Sequence, residues 1–218
     1  MSPSTSNVVI LDYGMGNLRS VQKAFERIGE AAHISSDVSE IAAAERLVLP
    51  GVGAYRDAID AIRRQDLTGV IRDHIAADRP FLGICLGMQL LMEISFEDGE
   101  HEGLGIIPGT VCRFELPVEF KIPHMGWNQL NLHSPPQHPL LQNLGSDPWF
   151  YFVHSYHVVP SDPSWIAATT DYGCPFVSVV AKRNVMATQF HPEKSQTSGM
   201  QLLKNFIAAG NLAVCAAQ

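Results

Sequence analysis

The chain has 218 residues, 46% of them apolar, which is enough for a buried core and excludes intrinsic disorder as its main state. Fifteen Lys and Arg against 22 Asp and Glu leave a net charge of −7, the opposite of a basic nucleic-acid footprint. No apolar run approaches the roughly 18 residues that read as a membrane span, and the polar start at residues 1–7 lacks a secretory pattern, so a cytoplasmic protein is expected.

Residues 8–11 (Val-Val-Ile-Leu) form a continuous apolar run, as expected of a strand buried on both faces. A helix follows over 18–28, with Leu18, Val21, Phe25 and Ile28 at helical spacing and Gly29 as its stop. Strands are expected at 32–35 and 46–49, helices at 54–64 and 68–77, a strand at 81–84 and a helix over 86–94. This alternation predicts βα units around a parallel sheet. The second half is β-rich, with strands expected at 111–116, 129–132, 149–159, 165–170, 177–181 and 185–190. A last helix over 198–209 is expected to close at Gly210. The prediction is one α/β domain over 8–210 with a central, mostly parallel sheet flanked by helices, a polar leader at 1–7 and a tail at 211–218.

Gly83-Ile84-Cys85-Leu86-Gly87 is the first segment with chemistry in it. An apolar strand runs directly into a helix, with a cysteine at the corner and a glycine two places to each side. That is the logic of a nucleophile elbow with sulfur in place of the hydroxyl. The corner residue is held in a strained backbone conformation, so its neighbours must be small. The thiol would sit at the positive end of a helix, which favours thiolate, and the amide of Leu86 could donate to an oxyanion. Cys112, Cys174 and Cys215 lack such a setting and read as structural. No two cysteines make a CxxC pair, which argues against a zinc site or a disulfide framework.

A free thiol with a pKa near ~8.5 is mostly protonated at neutral pH, so a partner base is expected. Gln189-Phe190-His191-Pro192-Glu193 offers one. Residues two apart on an extended chain point the same way. Glu193 could therefore accept from one ring nitrogen of His191 while the other faces the thiol, as in a catalytic triad. Of the other histidines, His33, His74, His101, His133 and His138 read as solvated and His124 as part of a turn. His154 and His157, three apart on one expected strand, should face opposite sides, which argues against a shared metal.

Pro50-Gly51-Val52-Gly53 also lies between a strand and a helix, and its amides could complete an oxyanion hole with Leu86. Gly14-Met15-Gly16 invites a dinucleotide reading, but Arg19 stands where GxGxxG needs its third glycine. There is no GxxxxGK[ST] phosphate loop. No cofactor and no metal is expected.

The segments 83–89 and 189–193 resemble the two signatures of the class I glutamine amidotransferases, and 50–53 is similar to that family's oxyanion loop. Three further stretches, 123–128, 151–157 and 191–196, resemble the branch whose glutaminase subunits serve a cyclase of histidine biosynthesis. The resemblance runs from about Val8 to Phe206. It implies a heterodimer with a (β/α)8-barrel cyclase that consumes ammonia released from L-glutamine. By resemblance, Cys85, His191 and Glu193 are the catalytic residues. Gly51, Val52, Gly53, Leu86, Gln89, Glu97, His154, Ser155 and Tyr156 would bind substrate, with Glu97 taking its ammonium. Tyr13 to Asn17, Trp127, Asn128 and Lys194 would face the partner. Two alternatives stand beside this reading: a subunit serving another synthase, for anthranilate or pyridoxal phosphate, and a noncatalytic interaction module on the same fold.

Overall fold

The computed structural model describes residues 8–132 and 138–215, with side chains described through Ala209 at the C-terminal end. The polar leader, His133, the Cys215 side chain and the end of the tail lie outside the described residues. In chain order the elements are β1 (Val8–Leu11), α1 (Leu18–Arg27), β2 (Ala32–Ser35), α2 (Val38–Ala43), β3 (Arg46–Gly51), α3 (Tyr55–Arg64), α4 (Leu67–Ala76), β4 (Phe81–Cys85), α5 (Leu86–Gln89) and β5 (Met92–Ser95). There follow β6 (His101–Glu102), β7 (Ile107–Arg113), β8 (His124–Gln129), β9 (Asn131–Leu132), β10 (Trp149–His154), β11 (Tyr156–Pro160), β12 (Ile166–Asp171), β13 (Pro175–Lys182), β14 (Val185–Thr188) and α6 (Gln196–Cys215). No helix among the described residues is long and apolar enough to cross a membrane.

Eight strands form one sheet in the order β2-β1-β3-β4-β14-β13-β12-β9. The first five pair in parallel and the last three are joined antiparallel. The apolar run of β1 divides its side chains between the two faces, as a doubly covered strand must. Val9 and Leu11 pack with Leu47, Leu49, Ile59 and Ile62 in one cluster. Val8 and Ile10 pack with Val48, Phe25 and Phe206 in the other. Helix α3 buries Tyr55, Ala58, Ile59 and Ile62, the i, i+3, i+4, i+7 stripe that makes it amphipathic, and ends on Arg63 and Arg64. Two smaller sheets, β11-β7-β5-β6 and β10-β8, stand beside the main one.

Several local features differ from expectation. Helix 86–94 stops at Gln89, because Met92, Glu93 and Ile94 follow the period of two and pair with β7 as a strand. The strand expected over 149–159 breaks at Ser155, since β10 pairs with β8 while β11 pairs with β7 in a different sheet. Helix α6 runs on through Gly210 to Cys215, as a single glycine costs a helix only about 1 kcal/mol and need not end it. Helix α2 was not expected at all, although Asp37 caps it, accepting from the amides of Ser39 and Glu40.

Candidate active site

Strands β3, β4 and β14 run parallel and end at one edge of the sheet, the place where open α/β sheets bind ligands. Register decides what meets there. Gly51 at the end of β3 lies opposite Cys85 at the end of β4, and Thr188 of β14 lies opposite Ile84. The segment after Thr188, carrying Gln189 and His191, is thereby delivered beside the cysteine.

Cys85 adopts φ 55° and ψ −108°, a strained conformation for a residue with a side chain. Its neighbours make this corner possible. A Cβ at Gly87 would collide with the Leu49 carbonyl, and one at Gly83 would come within 2.9 Å of the Gly87 carbonyl. Helix α5 starts at the next residue, so the Leu86 amide belongs to its first, unpaired turn.

His191 and Glu193 flank Pro192, and His191 Nδ1 donates to Glu193 Oε1 at 2.8 Å with both side chains almost fully buried. The loop is pinned to β10: the His191 amide donates to the Tyr151 carbonyl, and the Ser195 hydroxyl donates to the His191 carbonyl at 2.6 Å. Nε2, the other ring nitrogen, is buried without a partner in strict hydrogen-bond geometry. Cys85 nonetheless lies near enough to act on the ring. Burial pulls the imidazole down, but the Cys85 thiol and the Glu193 carboxylate outweigh it and push its pKa up to about 10. Around the sulfur, Gln189 Nε2 donates to Sγ at 3.7 Å and Sγ reaches the Val153 carbonyl at 3.9 Å.

A cavity of about 280 Å³ opens in front of Cys85. Of the residues expected to bind substrate, Val52, Gly53, Leu86, Gln89, Glu97, His154, Ser155 and Tyr156 all line it, together with His191. Gly51 does not. It lies behind the wall, where a Cβ would fall 2.6 Å from the Tyr13 hydroxyl and 2.9 Å from the Leu86 side chain. Pro123 and Val153 line the cavity unforeseen, one before β8 and one near the end of β10; the break of the expected strand at Ser155, which turns that end into the cavity, was the missing signal. Burial raises the pKa of Glu97, opposed by the Tyr55 amide that donates to its carboxylate.

Several other positions differ from expectation. Tyr13 is 1% exposed, so it offers no surface to a partner; its hydroxyl donates to the Pro50 carbonyl beneath the glycine loop at 2.9 Å. His74 is buried on the inner face of α4, where Nε2 donates to the Pro80 carbonyl, and burial lowers its pKa to about 4. His138 is half-buried and holds the Arg183 carbonyl, whereas His33 is exposed. His124 begins a strand rather than filling a turn. His154 and His157 do not face apart: the break at Ser155 lets both rings meet Phe114, His154 tilted against it at 5.2 Å and His157 stacked on it at 4.8 Å between centroids. No group of three His, Cys, Asp or Glu that could hold a metal occurs among the described residues. On the outer face of the β8/β10 pair, Met125, Trp127 and Trp149 are exposed, and Lys194 lies over the Tyr151 ring at 5.7 Å.

Residues 9–209 match the family described as glutamine amidotransferase class-I. The chain belongs to the class-I glutamine amidotransferases. Among the relatives of this amidotransferase is imidazole glycerol phosphate synthase subunit HisH of Rhodopirellula baltica, 58% identical over 202 residues and covering 93% of this chain and 97% of that one. The subunit of the same name from Salinibacter ruber is 55% identical, with 91% and 93% covered. In fold, this amidotransferase is similar to a crystal structure of a glutamine amidotransferase, with TM-score 0.73, 19% identity and coverage of 94% and 99%. It is also similar to the glutaminase domain of Trypanosoma brucei CTPS with bound acivicin, with TM-score 0.63, 17% identity and coverage of 94% and 93%.

Proposed function

We propose that this chain is the glutaminase subunit of imidazole glycerol phosphate synthase, hydrolysing L-glutamine and passing ammonia to a (β/α)8-barrel cyclase in cytoplasmic histidine biosynthesis. The observation that carries the chemistry is the buried Cys85, His191 and Glu193 constellation, with Cys85 and His191 lining the cavity and the 2.8 Å contact to Glu193 orienting the imidazole. The similarity to the HisH subunits supports the choice of pathway and of partner.

In this reading the proton of Cys85 rests on His191 Nε2, where the raised pKa of the ring holds it, and the sulfur attacks the carboxamide carbon. The oxyanion is met by the Leu86 amide and by amides of the Val52 loop, each such donor being worth about 3–4 kcal/mol in transition-state stabilisation. His191 returns the proton to the departing nitrogen, which leaves as ammonia, and the C–N bond is replaced by a thioester. Water then gives a proton to His191 and attacks the thioester carbon. Collapse expels the sulfur beside the protonated His191 ring and frees glutamate. Glu193 keeps Nδ1 protonated throughout, so only Nε2 exchanges protons. Glu97 faces the cavity as the partner for the substrate ammonium. The ammonia must travel sheltered, because protonation in water destroys its nucleophilicity. The outer β8/β10 face, with Trp127 and Lys194, is the surface offered to the cyclase, whereas Asn128 lies on the opposite face, against His124.

The test is to mix the chain with the cyclase subunit and its ligand and measure glutamate release. Cys85→Ala should abolish release yet leave synthesis from added ammonium. Loss of both activities in a folded variant, or glutamate release that persists, contradicts the assignment.

A further inference from the structure

One hydrogen-bonded chain crosses the protein from the outer strands to the reactive sulfur, and acceptor positions fix every proton in it. His154 Nδ1 lies 2.8 Å from the Tyr156 carbonyl, which can only accept, so Nδ1 carries the proton. His154 Nε2 must then accept, and the ring 3.1 Å away supplies the donor, His124 Nδ1. The other nitrogen of His124 therefore accepts in turn, from Asn128 Nδ2 at 3.3 Å. Asn128 cannot be turned around. Its Nδ2 also donates to the Asp171 carbonyl and its Oδ1 takes the Gln129 amide. At the other end Gln89 Nε2 donates to the same Tyr156 carbonyl at 3.1 Å and to Gln189 Oε1, and Gln189 donates to the Cys85 sulfur.

Both imidazoles are kept neutral, as this scheme requires. Burial lowers His124 to about 4 and His154 to about 3. His124 is also held in plane by stacking on Tyr172, at 4.0 Å between centroids, and on Phe152, at 4.9 Å. Nothing in the triad chemistry uses His124, and it does not line the cavity. Yet it is 2% exposed and both of its nitrogens are engaged.

We infer that His124 is a positioning residue: by donating to His154 it holds that ring in the orientation that clamps the Tyr156 carbonyl, and so sets the Ser155–Tyr156 wall of the glutamine cavity. The inference rests on the glutaminase reading for its kinetic consequence, but not for its proton positions. The Tyr156 carbonyl is gripped by two donors, one from α5 beside the cysteine and one from the histidine pair. Removing His124's donor leaves a buried acceptor on His154 unpaired and frees the ring to leave the carbonyl. The wall that receives the body of the substrate then loses its preorganisation, while the triad is untouched. Such a loss weakens ground-state and transition-state binding together and raises KM rather than lowering kcat.

Two measurements test this. Long-range ¹H–¹⁵N spectra of the wild-type chain at pH 7 should show His124 and His154 both neutral and both protonated on Nδ1. Finding either ring as the Nε2–H tautomer or as imidazolium overturns the inference whether or not the chain hydrolyses glutamine. In the complex with the cyclase, His124→Phe keeps the stacking ring but loses the donor. It should raise KM for glutamine roughly tenfold with kcat within about threefold. His124→Asn places an amide nitrogen near the position of Nδ1 and should recover most of that KM. An unchanged KM in His124→Phe, a fall confined to kcat, or an Asn variant as poor as the Phe variant would each overturn it. A wild-type complex without glutaminase activity would instead remove the functional reading and leave the spectra to decide the proton positions.

Discussion

Glu193→Gln isolates the charge of the orienting group from its geometry. The amide oxygen can still accept from His191 Nδ1 where the carboxylate does at 2.8 Å, but the negative charge is gone. The amide nitrogen would replace Oε2, which is buried without a partner, and its hydrogens would find no acceptor there. A hydrogen bond to a charged group contributes about 1.5–3 kcal/mol, against about 1 for a neutral pair. Because His191 is cationic when it protonates the leaving nitrogen, the difference, about 0.5–2 kcal/mol, is lost from the transition state. Glutamate release by the complex should therefore fall roughly 2- to 30-fold in kcat. Stability should fall too, with a pH signature. His191 is raised from 6.5 to about 10, so its protonation stabilises the fold in full below pH 6.5, and that contribution is lost as pH rises toward 10. The gap between wild type and variant in denaturant unfolding should be wide at pH 6.5 and narrow at pH 10. Unchanged turnover, or a gap that widens with pH, would refute the role given to Glu193.

Gly87→Ala places a Cβ against the Leu49 carbonyl and should lower stability by about 3 kcal/mol or more, seen as a fall of roughly 6–12 °C in Tm; an unaltered melt would contradict the tight packing of the elbow. Buried His74, His124 and His154 are held below 6.5, at about 4, 4 and 3, so each takes up a proton on unfolding but not in the fold. Stability should accordingly decline as pH drops from 6.5 toward 4, by about 1.4 kcal/mol per pH unit for each ring, and a flat profile in urea titrations would contradict their burial as neutral groups.

Much of the first half is legible because its signals are local. The two-faced apolar runs at Val8 and Phe81, the stripe of Tyr55, Ala58, Ile59 and Ile62, and glycines two places either side of Cys85 each state their structure within a few residues. The cysteine, histidine and glutamate could be paired from such segments because the strands that carry them end at one sheet edge. What was illegible depends on which sheet a strand joins. The sequence across Ser155 is uniformly strand-like, and only the pairing of β10 with β8 and of β11 with β7 breaks it. That break brings His154 and His157 against Phe114, with His124 hydrogen-bonded to His154, and it turns the Val153 carbonyl toward the sulfur. His74 was misread for a related reason: a helix shows its buried face by period, and a single polar residue on that face looks like an interruption. Asp37 followed three residues later by Glu40 was a readable start signal for α2. The helix it opens is only six residues long, too short to show a period.

Labelling with an electrophilic glutamine analogue, followed by peptide mapping, reaches the core of the mechanism most directly. The account predicts a single adduct on the sulfur of Cys85, prevented by excess L-glutamine and slowed in His191→Asn, with Cys112, Cys174 and Cys215 unmodified. An adduct on another cysteine, or one on Cys85 that glutamine does not prevent, would contradict it.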